Sequence, residues 1–313
     1  LAVSGIVGAF KNIWSESWGP RLEYILSASV AALTYVESAT LLGVQRLLSD
    51  DDYRRQVVRQ VEDAVVRTFW EQEFAGYSKA YRTEAIAPIQ NKLGQFLLSP
   101  VVRNVLGQVR SRIVPRRIMD ERKVFIANLA KGKLGEDKSA LLGSLLVSAF
   151  ELAALGRSDV PEREREDWGL VIDEFQNFAT DSFASILSEM RKYRLSLTLS
   201  HQYTAQLRPE VREAIFGNVG TFVSFRVGEA DARILEREYG DGYSVASFTG
   251  LANREVLVRL LEGGEQRGSF CGTTLPPLGE FVGRRGRLVK ASREKYGRPK
   301  GVVEDKIRRW LRP

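Results

Sequence analysis

The chain of 313 residues has few of the side chains that build disulfides and metal centres. Cys271 is its only cysteine and His201 its only histidine. A single cysteine excludes an internal disulfide and a cysteine-based zinc site, and it favours a reducing compartment. A single histidine excludes multi-histidine metal sites and every mechanism that needs a histidine pair.

Long hydrophobic runs are also missing. The most apolar stretches, residues 1–10, 28–36 and 141–150, have about half the ~20 residues that a bilayer requires. Residues 1–10 have neither the basic start nor the cleavage pattern of a signal peptide. We therefore expect no membrane span in this chain. Because it begins with Leu, we expect it to be a fragment of a longer protein.

Positive charge is concentrated at one end of the chain. The net charge is +7, but residues 281–313 carry +9 and residues 1–280 carry −2. A basic tail on a mildly acidic body indicates a polyanionic partner, most simply nucleic acid. The alternative is a solvated terminal helix, and charge alone does not decide between the two.

The first third of the chain has a helical pattern. Apolar residues recur at three- and four-residue spacing in residues 21–37, 40–48, 51–74 and 77–87. Ser49 before three aspartates is a helix start signal, Pro88 is expected to open or kink the next helix, and Pro100 marks a boundary. These signals predict an all-α domain over residues 1–112.

From residue 123 onward, short apolar runs alternate with helical segments. Strands are predicted at residues 123–129, 169–173, 195–200 and 221–227, with helices at 139–155, 182–193 and 209–217. This alternation predicts an α/β fold over residues 113–313, with a parallel sheet and helices on both faces. Residues 255–261 and 268–273 add an outer hairpin-like pair.

The strongest chemical signal is the strand Leu170–Ile172 followed by Asp173 and Glu174. A buried strand that ends in two carboxylates is the Walker B pattern of P-loop ATPases. Asp173 is then the candidate Mg²⁺ ligand, through water, and Glu174 the candidate base that polarises the attacking water. The alternative is that an apolar run before Asp-Glu is common in proteins without such a site.

Gln202 follows the next predicted strand, where an amide can contact the γ-phosphate or the attacking water. Its neighbour His201 is interpreted as a packing or polar-edge residue. Arg191 and Arg194 close the helix before this strand, so each is either an arginine finger for a neighbouring subunit or a cation at a helix C-terminus. Arg226, in the strand 221–227, is a comparable candidate.

Residues 132–139 imitate a phosphate-binding loop but lack one of its glycines. They follow an apolar run, open a helix and end in Lys138 and Ser139, but Asp137 occupies the position where G-x-x-x-x-G-K-[ST] requires Gly. A carboxylate there would repel the phosphates. We reject this segment, and no other stretch of the chain fits the motif.

Taken together, the motifs resemble those of the HerA/FtsK superfamily of hexameric DNA-pumping ATPases, in particular its type IV secretion and conjugation branch. The resemblance extends over essentially the whole chain. It rests on residues 171–178, 188–194 with 200–202, 218–221 with 225–228, 128–135 and 292–299.

The resemblance implies a RecA-like core that binds ATP and Mg²⁺, with residues 1–112 as a helical insertion. It implies Asp173, Glu174, Gln202 and Arg226 as nucleotide-site residues, with Glu174, Gln202, Arg191 and Arg194 as the catalytic set. The Walker A strand and loop are not in this chain, so the sheet is expected to be incomplete and the isolated chain inactive.

Two functions from different classes remain open. The first is the C-terminal part of a hexameric ATP-driven DNA translocase, in the cytoplasm or at the inner face of the bacterial inner membrane. Its partners would be DNA and secretion-channel or relaxosome proteins, with membrane contact only through a missing upstream segment. The second is a non-catalytic module that binds DNA or a partner of a DNA-transfer complex.

Overall fold

The computed structural model describes residues 2–180 and 183–311. Their contacts form two units, one of residues 2–159 with 285–311 and the other of residues 160–284. The second unit is therefore inserted into the first along the chain. This division lies elsewhere than the boundary after residue 112, and the role of residues 1–112 as an insertion in a longer core stays a prediction.

In its described residues, the first unit is built of helices. Up to residue 159 they are α1 (Ala2–Ile13), α2 (Pro20–Thr34), α3 (Leu42–Ser49), α4 (Asp51–Val58), α5 (Ala64–Thr68), a π-helical turn (Phe69–Phe74), α6 (Lys79–Leu97), α7 (Pro100–Leu106), α8 (Pro115–Asp120), α9 (Lys131–Leu134) and α10 (Glu136–Leu155).

Local capping explains where these helices start and stop. Asp50, rather than the predicted Ser49, caps α4, because its carboxylate accepts the N–H of Tyr53 at 2.9 Å. The predicted helix 51–74 is broken after Val58, and a second cap forms at Asp63. Pro88 lies inside α6 without ending it, whereas Pro100 begins α7 as expected.

Aromatic side chains fill much of the core between these helices. Phe10 of α1 stacks on Trp14, and both rings meet Phe96 of α6. On its other side α1 packs against α10. One close approach shows how tight this contact is, since a Cβ on Gly5 would lie 3.1 Å from the side chain of Ser148.

One helical segment among the described residues is long and apolar enough to cross a membrane by length and composition alone. It is Glu136–Asp159, which comprises α10 and the 3-10 turn that follows it. The expectation that no segment has this length is therefore corrected. It rested on residues 141–150, whereas the helix extends on both sides of that run. Half of its most apolar window is buried inside the unit, as in the core helix of a folded domain.

The second unit contains strands and helices. They are β1 (Trp168–Ile172), α11 (Phe183–Glu189), β2 (Leu195–Leu199), α12 (Pro209–Asn218), β3 (Phe222–Ser224), α13 (Glu229–Tyr239), α14 (Val245–Thr249), β4 (Glu255–Arg259), β5 (Leu261–Glu262), β6 (Glu265–Gln266) and β7 (Phe270–Thr273). The strands β1 and β2 pair in parallel, β3–β4–β7 form an antiparallel sheet, and β5 pairs with β6.

Two predicted strands do not join the parallel sheet. The segment 221–227 contributes β3. This strand pairs with β4, which runs in the opposite direction beside it. The segment 123–129 has no strand partner among the described residues, and its apolar side chains Val124 and Ile126 are 88% and 84% exposed. The predicted pairing of residues 255–261 with 268–273 is confirmed as β4 with β7, but β4 is the central strand of its sheet and not an outer one.

After residue 284 the chain returns to the first unit with α15 (Arg285–Tyr296) and α16 (Lys300–Leu311). No residue of α15 is buried, whereas Val303 and Ile307 of α16 belong to the core of the helical unit. The ring of Trp310 meets Tyr53 edge-on, and Arg46 donates to the carbonyl oxygen of Trp310 at 3.0 Å. The helix α16 is thus anchored, and α15 is exposed.

We expect Ile307→Ala to lower the free energy of unfolding of the first unit by about 2–5 kcal/mol, since it removes a buried branched side chain. The matched control is Leu311→Ala on the same helix, because Leu311 is 56% exposed and Ile307 only 5%. Denaturant titration measures both. Equal losses for the two variants would contradict the docking of α16.

Candidate functional site

The predicted acids and amide meet at one edge of the parallel sheet. Ile172 and Leu199, the last residues of β1 and β2, are register partners. The pairing continues beyond them, since Ser200 donates its N–H to the oxygen of Ile172 at 3.1 Å and Phe175 donates to that of Ser200 at 3.0 Å. The side chains that follow each strand therefore lie next to each other.

Glu174 is held between two amides. The Nε2 atom of Gln202 donates to its Oε1 at 2.8 Å, and that of Gln176 donates to its Oε2 at 2.7 Å. The backbone of Glu174 is left-handed, with φ 51° and ψ 44°, which costs a non-glycine residue about 1–3 kcal/mol. Asn177 stabilises this turn, because its side chain donates to the carbonyl oxygen of Glu174 at 2.8 Å.

Asp173 lies beside it, exposed, and accepts a hydrogen bond from the hydroxyl of Ser200 at 2.6 Å. Among the described residues there is no group of three acidic, histidine or cysteine side chains that could hold a metal ion. The exposed carboxylate of Asp173 nevertheless fits Mg²⁺, which keeps most of its waters and takes one or two protein carboxylates together with phosphate oxygens.

His201 is a packing residue. Its ring is half-buried and meets Phe175 edge-on at 5.4 Å between centroids. Burial lowers the pKa of His201 below its ordinary value of 6.5, and the charges of Asp231 and Glu174 oppose that shift only in part. The ring is therefore neutral at pH 7, in accord with its interpretation from the sequence.

The three candidate arginines are not brought to this edge. Arg194 directly precedes β2, and Arg191 lies in the turn before it. They are at the opposite end of the strand, and Arg194 lies about 20 Å from Ser200 at 3.3 Å per residue. Arg194 pairs there with Asp167 at 3.5 Å. Arg226 follows β3, which belongs to the other sheet.

The segment that imitates a phosphate loop has a structural role instead. It forms α9 and the first turn of α10, with Gly135 at φ 85° between them. The hydroxyl of Ser139 is buried and donates to the carbonyl oxygen of Leu129 at 2.5 Å. It is not available to a phosphate-bound metal ion, which agrees with the rejection of this segment.

Sequence reasoning missed Ser200 and Gln176, which donate to the carboxylates, and Asn177, which donates to the backbone carbonyl oxygen of Glu174. A signal for them was present, because each is a small polar or amide residue within four positions of a predicted strand end. Their partners could not be deduced, since the same residue types also occupy ordinary turns.

The fold and this edge define a class of protein. It has an all-α part and an α/β domain, in which two acids and an amide follow the carboxyl ends of parallel strands. Residues 167–237 match a family model described as "TraM recognition site of TraD and TraG". This match confirms the predicted resemblance to the coupling proteins of type IV secretion and conjugation. A search of curated protein sequences found no match.

Solved structures of the conjugative coupling protein TrwB are similar. The unbound TrwBΔN70 has a TM-score of 0.62 at 13% identity, covering 91% of this chain and 70% of that one. TrwB with the ATP analogue ADPNP has a TM-score of 0.61 at 15% identity, covering 91% of this chain and 70% of that one. TrwB with the GTP analogue GDPNP has a TM-score of 0.59 at 14% identity, covering 91% of this chain and 71% of that one. This likeness confirms the predicted fold class, α/β and RecA-like with an all-α domain.

Because the chain has one histidine, its titration is directly readable. We expect the ¹H NMR signal of His201 to titrate with a midpoint below 6.5, because burial disfavours the charged ring. The free energy of unfolding should then fall as the pH drops from about 7 through the folded pKa, since the unfolded state binds the proton first. His201→Gln should lose less stability over the same range. A midpoint at or above 6.5 would contradict the burial.

Proposed function

We propose that this chain is the C-terminal part of a hexameric, ATP-driven DNA translocase of a conjugative DNA-transfer system. The observation that carries the proposal is the carboxylate of Glu174, held by the amides of Gln176 and Gln202 directly beside Asp173. A binding module has no need of two carboxylates so arranged at the ends of paired strands. The family match over residues 167–237 supports the same assignment.

Each residue has a distinct task in this proposal. Asp173 would hold Mg²⁺ through water, and a bound Mg²⁺ would supply positive charge beside the phosphates of ATP. Glu174 accepts a proton from the attacking water, with both carboxylate oxygens oriented by amides. Gln202 exchanges its bond to Glu174 for one to the γ-phosphate and so registers the presence of that phosphate.

The phosphates themselves need backbone N–H groups and a lysine, which no segment of residues 1–313 offers in the required pattern. We propose that a segment outside these residues supplies them, so that this chain alone does not hydrolyse ATP. TrwB has been solved in complex with analogues of ATP and GTP. We extend nucleotide binding to the protein that contains this chain.

The positions of Arg191 and Arg194 are compatible with a role between neighbouring subunits of a hexameric ring. Arg194 lies about 20 Å from Ser200 along the strand, too far for an arginine side chain to reach Glu174 of its own subunit, and Arg191 lies in the turn before the strand. We propose that one of them enters the nucleotide site of a neighbouring subunit and stabilises charge in the transition state. Arg226, exposed after β3, is proposed as a further nucleotide contact of the same kind, made to the site of a neighbouring subunit.

The exposed helix α15 is the proposed DNA contact, because it carries basic residues and buries none. The protein would act in the cytoplasm at the inner face of the bacterial inner membrane, with any membrane contact made outside residues 1–313. A protein partner is the second candidate function. The family description names the recognition of TraM, and a relaxosome protein is the corresponding partner for residues 167–237.

The test of catalysis is Glu174→Gln in the complete protein. We expect hydrolysis to fall by about 10²–10⁴-fold, because the water loses its base, while the affinity for ATP stays within about twofold. Steady-state turnover and equilibrium binding of a fluorescent ATP analogue measure the two effects.

Glu213→Gln is the matched control, since Glu213 is exposed on α12 and the chemical change is identical. It should retain parental turnover. If Glu174→Gln also hydrolysed ATP at the parental rate, Glu174 would not be the base and the partner-binding function would be favoured.

For DNA, we expect neutralisation of four cations around the start of α15 to weaken binding of all sequences alike and to flatten its salt dependence. The slope of log affinity against log salt should change by about 0.9 for each lost phosphate contact on duplex DNA. The variant replaces Arg284, Arg285, Arg287 and Lys290 with Gln.

A control variant with the same loss of charge separates local contact from net charge. It replaces four exposed cations elsewhere, Lys79, Lys133, Arg163 and Arg267. Fluorescence anisotropy at several salt concentrations and the melting temperature are measured for both. Equal slopes in the two variants, with unchanged melting temperatures, would leave α15 as a solvated helix.

A further inference from the structure

A buried carboxylate lies behind the nucleotide-site edge. Asp231, in the first turn of α13, is only 7% exposed. Its Oδ1 atom accepts two hydrogen bonds from one residue, from the N–H of Thr204 at 3.0 Å and from its hydroxyl at 2.5 Å. Thr204 is itself 5% exposed. A carboxylate removed from water needs such partners, and these two bonds are correspondingly strong.

Thr204 lies two residues after Gln202. Its hydrogen bonds to Asp231 therefore fix one end of the loop that carries Gln202. At its other end, Ser200 is fixed by its backbone bonds to β1 and to Phe175. Between these ends the ring of His201 packs on Phe175. The loop is thus held at both ends, and exposed Gln202 projects between them to Glu174.

The helix α13 connects this loop to the antiparallel sheet of the same unit. Leu235 and Tyr239 of α13 form a buried cluster with Phe248 and Leu257. The hydroxyl of Tyr239 donates to the carbonyl oxygen of Leu257 in β4 at 2.9 Å. A displacement of the Gln202 loop can therefore be passed through Asp231 to α13 and from there to the sheet.

We propose that Asp231 is a positioning residue, which holds Gln202 against Glu174 through Thr204 and couples the state of the nucleotide site to α13. This inference rests on the proposed ATPase function. An alternative role is purely structural, since an acid in the first turn of a helix is favourable in any case. A structural role changes stability, whereas positioning changes turnover and the response of α13 to nucleotide.

The experiment compares Thr204→Val with Thr204→Ser in the complete protein. Valine keeps the branched shape and the backbone donor but removes the hydroxyl, whereas serine keeps the hydroxyl. We expect Thr204→Val to lower kcat about tenfold, as expected for the loss of about one hydrogen bond, with KM for ATP within about twofold. Thr204→Ser should stay close to the parental kcat.

A second measurement tests the proposed coupling between the nucleotide site and α13. In hydrogen–deuterium exchange, binding of a non-hydrolysable ATP analogue should alter the protection of residues 229–239 in the parental protein and in Thr204→Ser. Thr204→Val should lose this response. If Thr204→Val does not fold, Asp231→Leu decides, because leucine has a similar size but lacks the oxygen that accepts both hydrogen bonds. Its kcat should fall at unchanged KM, and its nucleotide response should weaken.

Glu174→Gln, measured alongside, distinguishes a failure of the positioning role of Asp231 from a failure of the proposed ATPase function. If Glu174→Gln is inactive but Thr204→Val retains the parental kcat and exchange response, the role of Asp231 is wrong and the proposed function stands. Equal losses in Thr204→Val and Thr204→Ser would make the pair structural and also overturn the inference. Full activity of Glu174→Gln would overturn the proposed function itself.

Discussion

The register of two short parallel strands is the constraint on which the candidate site depends. Ile172 of β1 lies opposite Leu199 of β2, and this alignment brings Glu174 within hydrogen-bonding distance of Gln202. One residue of slippage would move one strand end by about 3.3 Å and reverse the faces of its side chains. Because parallel strands need a crossover, the segment with α11 that joins them belongs to the site as much as the strands do.

Two adjacent carboxylates at this edge repel each other, and the structure offsets that repulsion with neutral donors. Ser200 donates to Asp173, while Gln176 and Gln202 donate to Glu174. Neutral donors orient the oxygens without cancelling their charge, so the edge keeps the negative potential that a divalent cation needs. The left-handed backbone of Glu174 is the local cost of this arrangement, and the turn that holds it uses Asn177.

The basic end of the chain divides its tasks between two helices. In α16 the apolar residues Val303 and Ile307 enter the core of the helical unit, and the hydrophobic effect anchors the chain end. In α15 no side chain is buried, so its cations stay hydrated and accessible. The sequence alone left a nucleic-acid contact and a solvated helix as alternatives. The structure shows an anchored helix, α16, and a basic helix, α15, of which no residue is buried.

The sequence by itself determined the local features: the helices of residues 20–108 in outline, the strands that end before Asp173 and Gln202, and the family resemblance carried by those ends. Hydrophobic periodicity and short motifs decide such features, because they act over a few residues. Tertiary structure decided the rest. The pairing of β3 depends on β4 some thirty residues later, Ile307 completes a core begun near residue 7, and Asp231 finds Thr204 across the unit. No local pattern encodes such partners, since each contact exists only after distant segments have packed.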